Sequence, residues 1–466
     1  MSQLFNQRPQ GVVLLALVVF STAGCASLPD TEPILARHTA QAARFETARG
    51  PVSTRQSAAI VAALKRQSGD LDILDKQIAL EQSINASSLV LGNKVTLLID
   101  GPATHAAMLA AISSAKDHIN MESYIIEDDA MGQEFTQALL KQQGRGVQVN
   151  LIYDSVGSLN TPKLFFDQLT QAGVAVLEFN PVNPLSSRDG SWLINNRDHR
   201  KLLIVDGRTA FLGGINISNV YSSGSIIHSS RKANASDGAW RDTHLQIHGP
   251  VVADFQKLFM QTWAKQHGQA LRVKNYTPLL APVGKDIVRA IGGTPDDPFS
   301  LVYLTLISAI GNAEKQVFLT NAYFVPDPQL LQSLIKAAAR GVDVRLILPS
   351  YSDSSLVFHA GRAQYARLLA SGMKIFERQG ALLHAKTGMV DGVWSTVGSS
   401  NLDWRSFMDN DEVNAVILGR DFANQMAAMF ALDQAASLPI DPQTWADRPI
   451  QFKLKEWLAR LWERWL

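Results

Sequence analysis

HRKLLIVDG, from His199 to Gly207, has a near copy in HAKTGMVDG, from His384 to Gly392. Both read His-x-Lys-x4-Asp-Gly. A second Gly and then an Asn follow at matching distances: Gly213 and Asn216 after the first copy, Gly398 and Asn401 after the second. With residue frequencies of roughly 5%, four fixed partners around one His coincide by chance on the order of once in ten thousand chains. Two such events in one chain point to duplication.

The same order of elements surrounds each copy. Before the first lie NKVTLLIDG, a helical THAAMLAAISSAKDHI, a strand in INMESYII, a helix in GQEFTQALLKQQGRG, a strand in VQVNLIYD, a helix in FFDQLTQAG and a strand in VAVLEF. Before the second lie LTLISAIGNAEKQ, VFLTNAYFV, LLQSLIKAAARG, VDVRLILPS, YARLLASG and MKIFER. Alternating strands and helices of these lengths predict an α/β fold with mostly parallel strands. Gly after each helix supplies the left-handed residue that ends it. Pro-containing segments at Pro278–Pro282 and Gly293–Pro298 mark the boundary between halves. The expected organisation is a signal segment over 1–24, a helical linker over 25–88, repeats over 89–270 and 271–440, and an amphipathic tail over 441–466.

A length of 466 residues, 46% apolar and 18% charged, describes a globular chain with a large core. A net charge of +1 gives no bulk basic field for a polyanion, so nucleic acid is not the expected partner. The single cysteine, Cys25, excludes an internal disulfide and a thiolate metal site. It follows an apolar run beginning at Gly11, of a length that suits a secretory signal better than a membrane span. Ala23 and Gly24 before it resemble a bacterial lipoprotein cleavage site, with Cys25 acylated, although Thr22 stands where such sites usually carry an aliphatic residue. An uncleaved anchor and ordinary signal cleavage are the alternatives. The expected location is the cell envelope, membrane-anchored, with the catalytic part outside the cytoplasm. In the tail, FKLKEWLARLWERWL sets Leu454, Trp457, Leu458, Leu461, Trp462 and Trp465 along one stripe flanked by Lys and Arg. That pattern suits a water–lipid interface, or else packing on the protein's own surface.

The motif's spacing carries chemistry. Period-two alternation puts His199 and Lys201 on one strand face, about 6.6 Å apart at their backbones, so both can reach one phosphate-sized anion. His384 and Lys386 repeat the arrangement, and the Asn216 and Asn401 amides can donate to the same anion. Two Lys and two Asn converging from two half-sites stabilise equatorial phosphoryl oxygens without a metal or other cofactor. One imidazole attacks phosphorus while the other protonates the departing oxygen. Both must meet at one interface, which explains the duplication. Each ring also needs an acceptor on its other nitrogen; Asp242 in WRDTHLQI and Glu412 in NDEVNAVI are the candidates. Asp206 and Asp391 complete the catalytic motif, but their place before Gly favours turn-forming or ion-pairing roles over direct chemistry. The histidines at 105, 118, 228, 244, 248 and 359 read as structural. No HExxH, Cys/His cluster, Walker loop or dinucleotide fingerprint is present.

These residues resemble the phospholipase D superfamily. HAKTGMVDGVWSTVGSSNLDWRS fits its His-x-Lys-x4-Asp-x6-Gly-Ser-x-Asn form throughout; the first copy departs only in Gly214, where Ser is usual. Within the superfamily the chain is similar to bacterial cardiolipin synthases from about Leu89 to Leu432, with LGNKVTLLIDG, ESYIIEDDAMG, FLGGINIS, TNAYFVPD and VGSSNLDWRSF carrying the likeness. The resemblance implies two α/β/α repeats related by a pseudo-twofold, with the active site at their interface. It also implies a phosphohistidine at His199, His384 as general acid, and phosphatidyl transfer from one phosphatidylglycerol to another. Many cardiolipin synthases begin with membrane-spanning helices; this chain begins with a lipoprotein-like signal, which leaves the acceptor open. Water would make it a phospholipase D, and a nuclease or a non-catalytic envelope lipoprotein are further alternatives.

Overall fold

A computed structural model describes residues 28, 30–37, 43–68, 73–84, 87–186, 192–224 and 239–466. Cys25 and the apolar run before it, with the expectations placed on them, lie outside the described residues. Among the described residues no helix is long and apolar enough to cross a membrane.

The first repeat builds strands β1 (Leu89–Ile99), β2 (His118–Ser123), β3 (Gln148–Asp154), β4 (Ala175–Phe179), β5 (Lys201–Val205), β6 (Thr209–Gly213) and β7 (Thr243–His248). Pairing gives the order β4-β3-β2-β5-β6-β7-β1. The second repeat builds β8 (Asp286–Gly293), β9 (Gln316–Asn321), β10 (Asp343–Pro349), β11 (Lys374–Arg378), β12 (Lys386–Val390), β13 (Trp394–Gly398) and β14 (Asn410–Leu418). Its order, β11-β10-β9-β12-β13-β14-β8, is the same arrangement. β1 and β8 pair antiparallel and join the two sheets. DIVRAIGG, the β8 strand, is an element absent from the sequence-based expectation.

The sheets are mixed, which corrects the expectation of mostly parallel strands. Among the strands β1 to β14, only β2–β3–β4 and β9–β10–β11 pair parallel. The motif strands instead turn straight back as hairpins. Asp206 (φ 54°) and Gly207 (φ 60°) are both left-handed, as are Asp391 (φ 52°) and Gly392 (φ 66°). This is the primed turn that Asp-Gly favours, because its twist matches that of the flanking strands. Each Asp carboxylate also accepts backbone N–H groups at the start of the first parallel strand: Asp117 and His118 for Asp206, Lys315 and Gln316 for Asp391.

Helices complete the layers. Helix α2 (Val252–Lys265) and helix α6 (Arg420–Ala435) bury Phe255, Phe259, Trp263, Phe422, Met426 and Met429 in one core with strands of both repeats. The outer helices of the first repeat bury Met108, Ile112, Phe135, Leu139 and Phe166 in a separate core.

The described residues of the segment expected to be a helical linker pack on β1 and on the core of the second repeat. Phe45 pairs beside Leu89 of β1. Helix α1 (Ile73–Ile84) buries Ile73, Leu74 and Ile78 in the core that also holds Tyr303 and Ile307 of helix α3 (Leu301–Asn312). Glu81 forms a fully buried ion pair with Arg289 of β8 at 2.7 Å and accepts the Trp394 indole N–H at 2.9 Å. Loosely helical Leu/Ile spacing conceals this, because Glu81 and Gln77 sit on the buried face.

Removing one partner of a buried pair leaves the other charge uncompensated. Glu81→Ala is expected to lower unfolding stability by about 3–5 kcal/mol, read from urea titration. A loss under about 1 kcal/mol would mean that the helix does not dock as described.

Candidate active site

Two short parallel bridges bring the motifs together. Arg197–Asp198, entering the first motif, pairs with Asn410–Asp411 at the start of β14. Leu382–Leu383, entering the second, pairs with Trp240–Arg241 just before β7. The His199 N–H donates to the Asp411 carbonyl at 2.9 Å, and the His384 N–H to the Arg241 carbonyl at 2.8 Å. Each histidine backbone is therefore fixed by the opposite repeat.

The side chains cross in the same way. His199 Nδ1 lies 3.0 and 3.2 Å from the Glu412 carboxylate oxygens. His384 Nδ1 lies 2.7 Å from Asp242 Oδ2. Glu412 belongs to the second repeat and Asp242 to the first, so the orienting carboxylates are exchanged. Each holds the ring of the other half and leaves Nε2 as that ring's reactive nitrogen. Lys201 Nζ donates to the His199 carbonyl at 2.6 Å, and Lys386 Nζ to the His384 carbonyl.

Burial and crowding set the charges. The His199 pKa is lowered to about 4, first by burial and then by Lys201, against the pull of Glu412. That of His384 is also lowered, by burial and then Lys386, against Asp242. Burial is the largest influence on both lysines: Lys201 falls to about 7, with the Lys386 ammonium adding to the fall, and Lys386 to about 8. Burial opposes the charged form of Glu412, yet His199, Lys201 and the Ser399 hydroxyl hold its pKa below the usual range. Lys386 acts on His199 and Lys201 acts on His384, which makes this one site with two halves.

The two halves are not identical. The Ser399 hydroxyl donates to Glu412. Gly214 stands at the equivalent place in the first copy, and a Cβ there would lie 2.2 Å from Asp242 Oδ1. The departure from Ser therefore costs no contact; the carboxylate occupies that space. Tyr221 fills the remaining position, its hydroxyl 3.2 Å from His384 Nδ1 and accepting from Asn216 Nδ2 at 3.2 Å. Buried His105 lies 3.1 Å from the Asn216 carbonyl. Asn401 is buried, held through its N–H by Ser406, and its Oδ1 has no hydrogen-bond partner among the described residues.

Asp206 and Asp391, counted with the catalytic motif, are engaged by the backbone amides described above and touch neither imidazole. They shape the hairpin turns that leave each motif strand. Several further neighbours escape a reading of the motifs alone. Tyr124 packs 5.0 Å from His199 and under Lys201, and burial pushes its pKa up to about 12. Tyr323, its counterpart in the second repeat, packs 6.4 Å from His384 and donates to Asp353. The echo of ESY in NAY is the available signal. Arg200, the variable residue of the motif, reaches across to the Glu412 and Gly293 carbonyls. Arg241 forms a two-pronged pair with Asp433 across the interface.

Two carboxylate-held imidazoles brought to one interface, with a lysine beside each, suit chemistry at a phosphoryl centre. A family model described as cardiolipin synthase, PLD-like domain, matches residues 108–224 and 306–433. The chain is 33% identical over 387 residues to a cardiolipin synthase of Geobacillus kaustophilus, covering 82% of this chain and 74% of that one. It is 34% identical over 373 residues to a cardiolipin synthase of Listeria monocytogenes, covering 79% and 74%. A crystal structure of phosphatidylserine synthase from Haemophilus influenzae shares the fold, with a TM-score of 0.59 and 14% identity over 80% of this chain and 95% of that one. The chain belongs to the cardiolipin synthase family of the phospholipase D superfamily, and is a phosphatidyltransferase of that type.

Gly214→Ser is expected to displace Asp242 from His384 and reduce transfer about 10–100-fold with the thermal unfolding midpoint nearly unchanged. Ser399→Gly, which removes one hydroxyl from Glu412, should cost less. Equal rates for Gly214→Ser and the parent would contradict the packing described. The lysine shifts predict a second behaviour. An anion binds the protonated ammonium groups, so the affinity for sulfate is highest below the lowered Lys201 value. It should fall roughly tenfold per pH unit above about 7 and more steeply above about 8, measured by calorimetry. Affinity that holds to pH 10 would show the lysines are unshifted.

Proposed function

We propose that this chain is a membrane-attached cardiolipin synthase that transfers a phosphatidyl group between two phosphatidylglycerol molecules through a phosphohistidine. The observation that supports the reading is the exchange of carboxylates, which secures both motif imidazoles across one interface with a lysine beside each. His199 Nε2 attacks in line, forming the N–P bond. The bond from phosphorus to the glycerol head-group oxygen breaks, and His384 supplies the proton that releases glycerol. The lowered pKa of His199 keeps its nitrogen unprotonated for attack. Arrival of the phosphodiester anion beside His384 favours its charged form, which readies the general acid. In the second half, His384 takes the proton from a hydroxyl of the second phosphatidylglycerol. That oxygen displaces His199, giving cardiolipin and returning both rings to their starting states. Lys201, Lys386 and the Asn216 and Asn401 amides stabilise the equatorial oxygens in both steps.

The names of the relatives support phospholipid as both donor and acceptor. Attachment is proposed through the amino terminus, by acylation of Cys25, with the catalytic part outside the cytoplasm; the apolar run from Gly11 and the small residues before Cys25 support it.

The test is a product assay on the purified protein with phosphatidylglycerol. Cardiolipin with an equal amount of glycerol is expected; phosphatidic acid as the only product would reassign the enzyme as a hydrolase. His199→Ala and His384→Ala should each lower turnover by more than about 1000-fold. Acid-labile label from phosphatidylglycerol carrying labelled phosphorus should be trapped on the parent protein and be absent from His199→Ala. Label retained there would assign the nucleophile elsewhere.

A further inference from the structure

The C-terminal helix α7 (Ile450–Arg460) is docked the wrong way round for a helix whose only partner is its own protein. Its buried residues are Glu456 and Ala459. Ala459 packs with Val325 and with Ala360 of helix α4 (Ser355–Arg362), while Glu456 pairs with Arg448. The apolar stripe points outward instead: Leu454 is 55% exposed, Trp457 57%, Leu461 64% and Trp462 56%. A surface helix normally turns that stripe to the core.

The exposed stripe continues toward the active site. The turn Glu463–Trp465 packs against helix α5 (Trp404–Met408), with the Arg464 guanidinium 5.9 Å from the Trp404 ring. Helix α5 follows Asn401 closely and holds its N–H through Ser406. On its other side Arg405 bonds to Asn195. That residue ends a second exposed apolar run, Trp192, Leu193 and Ile194, which leads into Arg197 and His199. Leu356 of helix α4, exposed as well, lies just beyond Asp353, the partner of Tyr323.

We infer that the Trp- and Leu-bearing face of α7, together with Trp192–Ile194, docks on an anionic phospholipid bilayer and sets the mouth of the active site against it. Charge and composition select this occupant. Lys455, Arg460 and Arg464 are exposed beside the stripe, whereas of the two acidic side chains in Ile450–Leu466 Glu456 is buried and Glu463 half-buried. Half-exposed Trp flanked by Lys and Arg is the composition of a helix lying at the headgroup level, where indoles sit at the boundary and cations reach the phosphates. This surface is separate from the amino-terminal anchor and rests on the reading above only in taking the substrate from a bilayer. An anchor holds the chain near the membrane; this face orients the cleft toward it.

The test uses the full chain and vesicles of phosphatidylglycerol or phosphatidylcholine carrying brominated acyl chains. Trp192, Trp457, Trp462 and Trp465 are exposed, whereas Trp263, Trp394, Trp404 and Trp445 are buried. Quenching of the indole fluorescence is expected on phosphatidylglycerol vesicles and to be weaker on phosphatidylcholine. The double variant Leu458→Glu/Leu461→Glu keeps every Trp and alters only exposed positions. It should lose most of the quenching and fall about tenfold or more in turnover of vesicle substrate. Turnover of a short-chain phosphatidylglycerol dissolved below its micelle concentration should be unchanged, which also reports that the fold is intact. Equal quenching in parent and variant would overturn the proposal. So would lipid-independent self-association of the parent, seen by sedimentation and abolished in the variant, because the face would then bind a second copy. The quenching reads the surface alone, so it decides the matter even if the reaction assigned above proves to be hydrolysis.

Discussion

Everything in this structure depends on two carboxylates held by the opposite half. Asp242 is reached from the first repeat and Glu412 from the second, yet each bonds the histidine of the other. Neither repeat alone contains a motif imidazole whose second nitrogen is secured by its carboxylate. A buried histidine without that acceptor would be free to change tautomer or turn its ring. The exchange therefore makes assembly of the two repeats a condition of chemistry. It also explains why the motif occurs as a pair of half-sites.

Close packing enforces this arrangement. The histidines are fixed at the backbone by the opposite repeat, through the Asp411 and Arg241 carbonyls. Arg200 and Arg241 then tie those same segments across the interface, to Gly293 and Asp433. Two lysines in one buried pocket repel each other, and the two carboxylates partly offset that repulsion. The two carboxylates match the two lysines in number; burial is what makes the ammonium groups unwilling to remain protonated, and a bound phosphodiester anion would favour their charged form.

The motif residues are legible because their spacing occurs twice. His, Lys and Asn in fixed register betray a half-site without any knowledge of the fold, and the acidic runs after each motif suggest the carboxylates. What spacing does not contain is which half each carboxylate serves. That follows from Arg197–Asp198 and Leu382–Leu383 pairing with distant strands, a long-range event with no local signature. The Asp-Gly pairs read as turns without revealing hairpins, so periodicity alone assigns the strands after them to a parallel sheet. The segment over 25–88 reads as a linker because the decisive residue on its buried face, Glu81, is charged; Arg289 and Trp394 make that burial intelligible. β8 is hidden for the same reason, since Arg289 and paired glycines interrupt an otherwise apolar strand.

The exchange itself is open to a direct measurement by nitrogen-15 NMR of histidine-labelled protein. Asp242→Asn should change the ring-nitrogen shifts and the Nδ1 proton of His384, in the opposite repeat, and leave those of His199 nearly in place. Glu412→Gln should do the reverse. If each substitution instead perturbed the histidine of its own repeat, or neither ring responded, the two halves would not share one site and the exchange of carboxylates would be refuted.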